Sequence, residues 1–274
     1  MGLLSRPTDQ QEMLANAVER AWCGAWAALQ CDGVTQVEDT PQFLRILTPH
    51  SSDMLLNAIL RFRQARPVTQ ADVEAVITPY RAAHRPMQWW MRSGTEPRHL
   101  RQELFALGMQ PWGHPKGMAL PLTHWQPPHP MSHEISVMPV ATTAAAQTTL
   151  QTICTVFGLA PQPMRRWGAE NPRFTAFQAT VHGTPAGALV RLLDDDVVGF
   201  FHVATLPRFR RRGIAAAMMT HALLDARLQG ARIAALTASP MAETLYQHLG
   251  FAHCCTFELW MPTPRLLSDL NGLG

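Results

Sequence analysis

Between residues 196 and 230 the sequence reads as strand, basic turn and helix, and this stretch constrains the rest. The run Val197–Thr205 is apolar along nearly its whole length, with His202 its one titratable side chain. A strand of that kind buries both faces, so it belongs in the middle of a sheet covered on both sides. Pro207 cannot donate to a ladder and ends the strand. Arg208, Arg210, Arg211 and Arg212 follow. Gly213 and the small residues Ile214, Ala215, Ala216 and Ala217 then open a helix, whose apolar stripe runs Ile214, Ala217, Met218, His221, Leu224 and Leu228 to a stop at Gly230. The first turn of a helix leaves backbone N–H groups without intrahelical partners, at the positive end of the helix dipole. Such a start takes an anion, most simply a phosphate. Gly213 allows close approach to the backbone, Ala215 leaves room beside it, and the arginines add charge.

At these residues the chain resembles the GCN5-related N-acetyltransferases (GNAT), which bind the pyrophosphate of acetyl-CoA on a loop of the form Arg/Gln-x-x-Gly-x-Gly/Ala. Here it stands as Arg210-Arg211-Arg212-Gly213-Ile214-Ala215. A second segment, from Ser239 through Ala242, Leu245 and Tyr246 to Gly250 and Phe251, is similar to the second GNAT motif, Asn-x-x-Ala-x-x-Leu-Tyr-x-x-x-Gly-Phe, with Ser239 in place of Asn. Both motifs fall in the expected order on the expected elements, over residues 135–262.

The chain has 274 residues, enough for two domains, and is 47% hydrophobic and 16% charged, the composition of a globular protein. A formal charge of +3 is too small to argue for nucleic acid, and the clustered arginines sit at a strand-to-helix turn. The cysteines, Cys23, Cys31, Cys154, Cys254 and Cys255, contain no C-x-x-C and read as thiols of a reducing cytoplasm. No membrane span or signal peptide is read, and Arg6 stands where a myristoylation signal takes Ser or Thr.

Residues 1–122 give helical spacing over 11–29, strands at 43–47 and 55–62, a helix capped by Thr69, a strand at 87–91, a helix lined by Leu100, Leu104 and Leu107, and a strand at 117–122. Residues 89–109 and 235–251 both run strand, turn, proline-started helix and Leu-Gly-aromatic or Leu-Gly-Met. This is a faint internal duplication. The first copy has no glycine between Gly33 and Gly94, hence no glycine phosphate loop, and Leu104 where the second has Tyr246. Trp22, Trp26, Trp89 and Trp90 read as core. Residues 123–134 hold three prolines and three histidines and read as a linker; His124, His129 and His133 lack the spacing of a metal site.

In residues 135–262 the spacing predicts a strand at 135–140, a helix at 144–157, a proline-rich loop at 160–172, a hairpin at 174–193, the apolar strand, a fifth strand at 232–237, a helix capped by Ser239 with Pro240 at its first position, and a closing strand at 251–261. Asp194, Asp195 and Asp196 read as a solvated hairpin tip. Residues 263–274 remain as a tail.

The expected fold class is thus α/β (α+β): two GNAT-like domains, each a mixed, mostly antiparallel twisted sheet flanked by helices. The first, 1–122, is degenerate; the second, 135–262, binds acetyl-CoA. The resemblance implies transfer of an acetyl group to the amine of a small or amino-acid-like acceptor, without a metal. Backbone groups of Val203, Ala204 and Thr205 would pair with the pantetheine arm. Those of Arg211, Arg212, Gly213, Ile214, Ala215 and Ala216 would hold the pyrophosphate, with Arg210 opening the cofactor-binding loop. Ser239 either reaches pantetheine or caps its helix. Tyr246 matches the proton donor to the departing thiolate, its alternative being a core residue packed on the sheet. For the general base, some relatives use a Glu on the fifth strand, where this chain has Ala234. The candidates left are His202, whose alternative is a buried structural role, Glu170, and a water relay. Met164, Trp167 and Glu170 fall where relatives line the acceptor site, or in an ordinary loop. The chain is expected to be a cytoplasmic monomer or homodimer with no nucleic-acid or membrane partner. The rival reading is a CoA-binding or regulatory protein that has lost catalysis.

Overall fold

A computed structural model describes residues 7–31, 33–128, 133–168 and 171–270. In chain order the elements are α1 (Pro7–Ala27), β1 (Gln36–Asp39), β2 (Leu44–Leu47), β3 (Ala58–Leu60), α2 (Gln70–Ala83), β4 (Gln88–Arg92), α3 (Leu100–Ala106), β5 (Met109–Gly113) and β6 (Lys116–Pro121). There follow β7 (Ile135–Pro139), α4 (Thr143–Phe157), α5 (Pro161–Arg166), β8 (Thr175–Val181), β9 (Thr184–Asp194), β10 (Val197–Thr205), α6 (Ile214–Leu228), β11 (Ile233–Ala238), α7 (Glu243–His248), β12 (Ala252–Pro262) and α8 (Pro264–Leu270).

The chain forms two compact units, and their boundaries cross the sequence halves. Unit 1 is Gly117–Cys254 together with Met1–Ala25; unit 2 is Trp26–Lys116 together with Cys255–Gly274. Residues 117–122 and most of α1 therefore pack in unit 1, and residues 255–262 in unit 2.

In unit 1, β7, β8, β9 and β10 pair antiparallel in sequence order. β11 pairs parallel to β10, and β6 follows β11. The two faces of β10 part cleanly. Val198 and Phe200 join the core beneath α6, with Met218, Met219, Ala222 and Leu223. On the opposite face Gly199 lies under α1: a methyl built at Gly199 would sit 3.1 Å from Ala21 Cβ and 2.7 Å from Phe201 Cζ. Phe201 is 6% exposed and packed among other rings, so its ring has little room to yield. Gly199→Ala is expected to lower the unfolding free energy by about 1–3 kcal/mol, the range for overpacking a core. Urea denaturation checks this, and an unshifted midpoint would mean that α1 can lift at no cost. Beneath α6 the buried Arg191 of β9 reaches the Asp225 carboxylate at 2.5 Å and lies over the Phe177 ring, and burial pulls its pKa down.

The β9–β10 hairpin tip is solvated, as the sequence reads, and differs only in that its acids meet a cation. Arg20 Nε lies 3.0 Å from Asp194 Oδ2, and Nη1 3.1 Å from Asp196 Oδ1. All three side chains stay partly exposed, so the pairs contribute about 0–1 kcal/mol each. The expected linker also differs at its start. Trp125 is buried in the core, its Nε1 donates to Leu249 O at 2.8 Å, and its carbonyl accepts from Arg227 at 2.7 Å. His129 lies outside the described residues.

Unit 2 repeats the strand pattern of unit 1. β1, β2 and β3 pair antiparallel and β4 pairs parallel to β3, as β8, β9, β10 and β11 do. β12 and then β5 continue antiparallel. The duplication read faintly in the sequence is thus a duplication of sheet order. The expected tail at 263–274 starts with α8, whose Leu266 and Leu270 join the core of unit 2 with Val73, Ile77 and Trp260.

Candidate active site

The site in unit 1 is built where β10 outruns its parallel neighbour. The β10–β11 ladder ends at Phe200 and Leu236, while β10 continues to Thr205. On the other side the register with β9 breaks between Phe201 and Ala204, leaving His202 and Val203 in a bulge. His202 is held at φ 52, a left-handed conformation costly for a residue with a side chain. From this point, among the described residues, the edge of β10 toward β11 offers backbone groups without ladder partners.

The chain then makes one 3-10 turn, Pro207–Phe209, and passes Arg211 at φ 65 and Gly213 at φ 75 into α6. Gly213 is the N-cap, and a side chain there would meet no neighbour within 4 Å. What requires glycine is therefore the backbone angle. Arg208 and Arg212 lie over the Phe209 ring, at 5.0 and 5.8 Å, and Arg210 Nε donates to Thr205 O at 3.3 Å. The first turn of α6 thus faces open space beside four cations.

A cavity of about 640 Å³ joins these parts. Val203 and Thr205 line it from β10, and Arg210, Arg211, Gly213, Ile214, Ala215 and Ala216 from the loop and α6. Ser239 and Tyr246 line the facing wall. Ala204 is fully buried in the ladder beside them, and Arg212 stands outside the lining. Tyr246 is 6% exposed, and burial pushes its phenol up to about 12. Thr205 Oγ1 is enclosed without a hydrogen-bond partner among the described residues.

Other expected residues fall elsewhere. α7 starts at Glu243, with Ala242 as its N-cap; Ser239 instead ends β11 in a turn, its carbonyl accepting from Ala242 N–H at 3.0 Å. Pro240 is therefore not in the helix, because residues 240–242 make that turn first. Residues 161–166 of the expected loop form α5, with Pro161 at its first position. Met164 and Trp167 are buried at 2% and 3%, which places them in the interior wall. Ala234 is fully buried, and Glu170 lies outside the described residues. His202 is not in the cavity lining. Its ring stands perpendicular to Trp167 at 5.5 Å and near Phe157 at 6.0 Å, and its Nε2 is enclosed without a hydrogen-bond partner among the described residues. One edge of the residue reaches the surface, but burial of the ring pulls its pKa down to about 4. The sequence reading missed Val156 and Phe157, which bring the end of α4 to the cavity. Their local spacing marks a helix and carries no sign of what the helix end faces.

Unit 2 shows what became of the equivalent helix start. At the head of α2 the Asp72 carboxylate accepts from Thr69 N–H at 2.8 Å and from the Thr69 hydroxyl at 2.7 Å. Arg66, then Thr69, hold that carboxylate well below the usual range. This helix start is closed by a capping box, with a carboxylate of its own where α6 has Gly213 and four arginines nearby.

Comparison with known proteins agrees with this architecture. Residues 172–253 match the family model described as an acetyltransferase (GNAT) domain. A GCN5-related N-acetyltransferase from Kribbella flavida superposes with a TM-score of 0.72 at 18% identity, over 92% of this chain and 96% of that one. One from Sphaerobacter thermophilus gives 0.59 at 14% identity, over 90% and 92%. A tandem GNAT protein from the clavulanic acid biosynthesis pathway, solved without acetyl-CoA, gives 0.57 at 12% identity, over 90% and 94%. No curated protein matches the sequence. The fold is that of GNAT proteins, tandem ones included. Among the described residues no helix is long and apolar enough to cross a membrane, and no group of three or more His, Cys, Asp or Glu is placed to hold a metal.

Proposed function

We propose that unit 1 is an acetyl-CoA-dependent N-acyltransferase that moves an acetyl group directly to the amine of a small or amino-acid-like acceptor. The observation that carries this is the meeting, on one cavity, of the Gly213 helix start, the unladdered end of β10 and Tyr246. The residues suit acetyl-CoA. First-turn N–H groups of α6 with Arg210 and Arg211 take a pyrophosphate. Val203 and Thr205 offer backbone to an amide-bearing arm, and Thr205 Oγ1 is an enclosed hydroxyl awaiting a partner. A backbone N–H at the bulge stabilises the oxyanion.

Tyr246 donates to the leaving thiolate. Its phenol stands above the thiol range, so it stabilises the thiolate by a hydrogen bond instead of giving up its proton outright. His202 is unsuited to be the base: an imidazole held near 4 does not draw a proton from an ammonium at neutral pH. A water relay delivers the amine in its neutral form. The same environment of His202 favours the second reading, a CoA-binding protein without turnover, and release of CoA thiol against a panel of amines separates the two. Unit 2, its helix start capped by Asp72, serves as a structural or substrate-shaping partner.

The test is a thermal shift with acetyl-CoA, on the parent and on Gly213→Asp. Ligand at a hundredfold its Kd stabilises the native state by about 2.7 kcal/mol. The variant forces a side chain into φ 75 and sets a negative charge at the anion site, so its shift is expected to vanish. A parent that gains nothing from acetyl-CoA would end the proposal.

A further inference from the structure

We propose that Trp22, carried by α1, is a positioning residue for the bulge of β10, so that the N-terminal helix is part of the acyl-transfer apparatus of unit 1; this rests on the functional reading above. The bulge has little backbone support of its own. The ladder to β11 has ended at Phe200, and the register with β9 skips His202 and Val203. A left-handed histidine there persists only where packing holds it.

That packing is a set of rings, and Trp22 closes it. The Trp22 ring lies 6.0 Å from Phe201 and 6.4 Å from Trp167. Trp167 is 5.9 Å from Phe201 and stands perpendicular to His202 at 5.5 Å. Phe174 braces both, at 6.0 Å from Trp167 and 6.3 Å from Phe201. Trp22 thus presses on the residue before the bulge and on the ring that faces His202. Two neighbours on α1 fix where it falls. Arg20 clamps Asp194 and Asp196 at the hairpin tip, and Ala21 seats over Gly199. Consecutive residues of the helix therefore engage the β9–β10 turn, Gly199 within β10 and the residue before its bulge.

The experiment uses the full chain. Trp22→Ala is expected to lower kcat by roughly tenfold to a hundredfold, the scale for misplacing reacting groups by a fraction of an ångström to an ångström. KM for acetyl-CoA should stay within about twofold, because the helix start of α6 is untouched, and Trp22→Phe should restore most of the rate. A readout independent of turnover is the NMR signal of the His202 ring, assigned with His202→Gln. Trp22→Ala should move it as Trp167 relaxes, and Trp22→Phe should leave it near the parent position. If Trp22→Ala does not fold, Trp22→Leu is read by the same two measurements. Unchanged kcat with an unmoved His202 signal would overturn the proposal. A parent that neither binds acetyl-CoA nor releases CoA would overturn the functional reading instead, and the ring signal would still decide whether Trp22 holds the bulge.

Discussion

Tyr246→Phe is expected to lower turnover about a hundredfold while acetyl-CoA affinity stays nearly unchanged. The phenol ring fills its place in the core with or without its hydroxyl, packed 5.9 Å from Phe251, so the change removes a donor and little else. A hydrogen bond to a charged group contributes about 1.5–3 kcal/mol, which is about tenfold to 150-fold in rate. Single-turnover CoA release in the variant measures it. With the phenol pushed up to about 12, its proton stays in place through neutral and mildly alkaline pH, so the rate profile should show no limb from Tyr246 below that point. A variant with parental turnover would take Tyr246 out of the chemistry and leave it a core residue.

A fragment of residues 135–262, the segment whose motifs resemble those of GNAT proteins, is expected not to fold alone. It lacks β6, which lies beside β11, and α1, which covers Gly199 on β10. It would also expose Met118, Leu120 and Leu122 contacts of the core, and leave residues 255–262 without the β4 they pair with. An uncovered sheet face and an unpaired edge are each enough to drive association. Far-UV and near-UV circular dichroism of the fragment, alone and co-expressed with residues 1–134, checks this. The pair should recover a cooperative thermal transition, and a fragment that melts cooperatively by itself would refute the expectation.

Much of this architecture was legible because it is local. β10 falls at Val197–Thr205 and α6 at Ile214–Leu228, as their apolar runs, Pro207 and Gly213 required. Short polar or proline-bearing elements were not: β1 reads Gln-Val-Glu-Asp, β5 contains Pro111, and α5 has two prolines, so burial pattern gives no period to detect. Partnership was invisible for a different reason. The spacing of α1 shows a helix with a buried face, and nothing in that spacing says which sheet it covers. At the site, Gly213 and Tyr246 were legible through their motifs. The interior placement of Met164 and Trp167 depends on α5 turning inward, and the capping of α2 by Asp72 depends on a three-residue contact that only the backbone geometry reveals.

The exchange of terminal strands has a consequence for synthesis. A nascent chain normally folds its N-terminal domain while the rest is still being made. Here, when residue 116 has left the ribosome, β4 with its Trp89 and Trp90 has no β12 to pair with, and α1 has no β10 to cover. Unit 2 waits for β12 and α8, and unit 1 needs residues up to 254. Neither unit therefore closes before residue 254 has been made. A product broken off before residue 254 would carry an open edge in each unit, so a stop between residues 117 and 254 is as damaging to unit 2 as one before it.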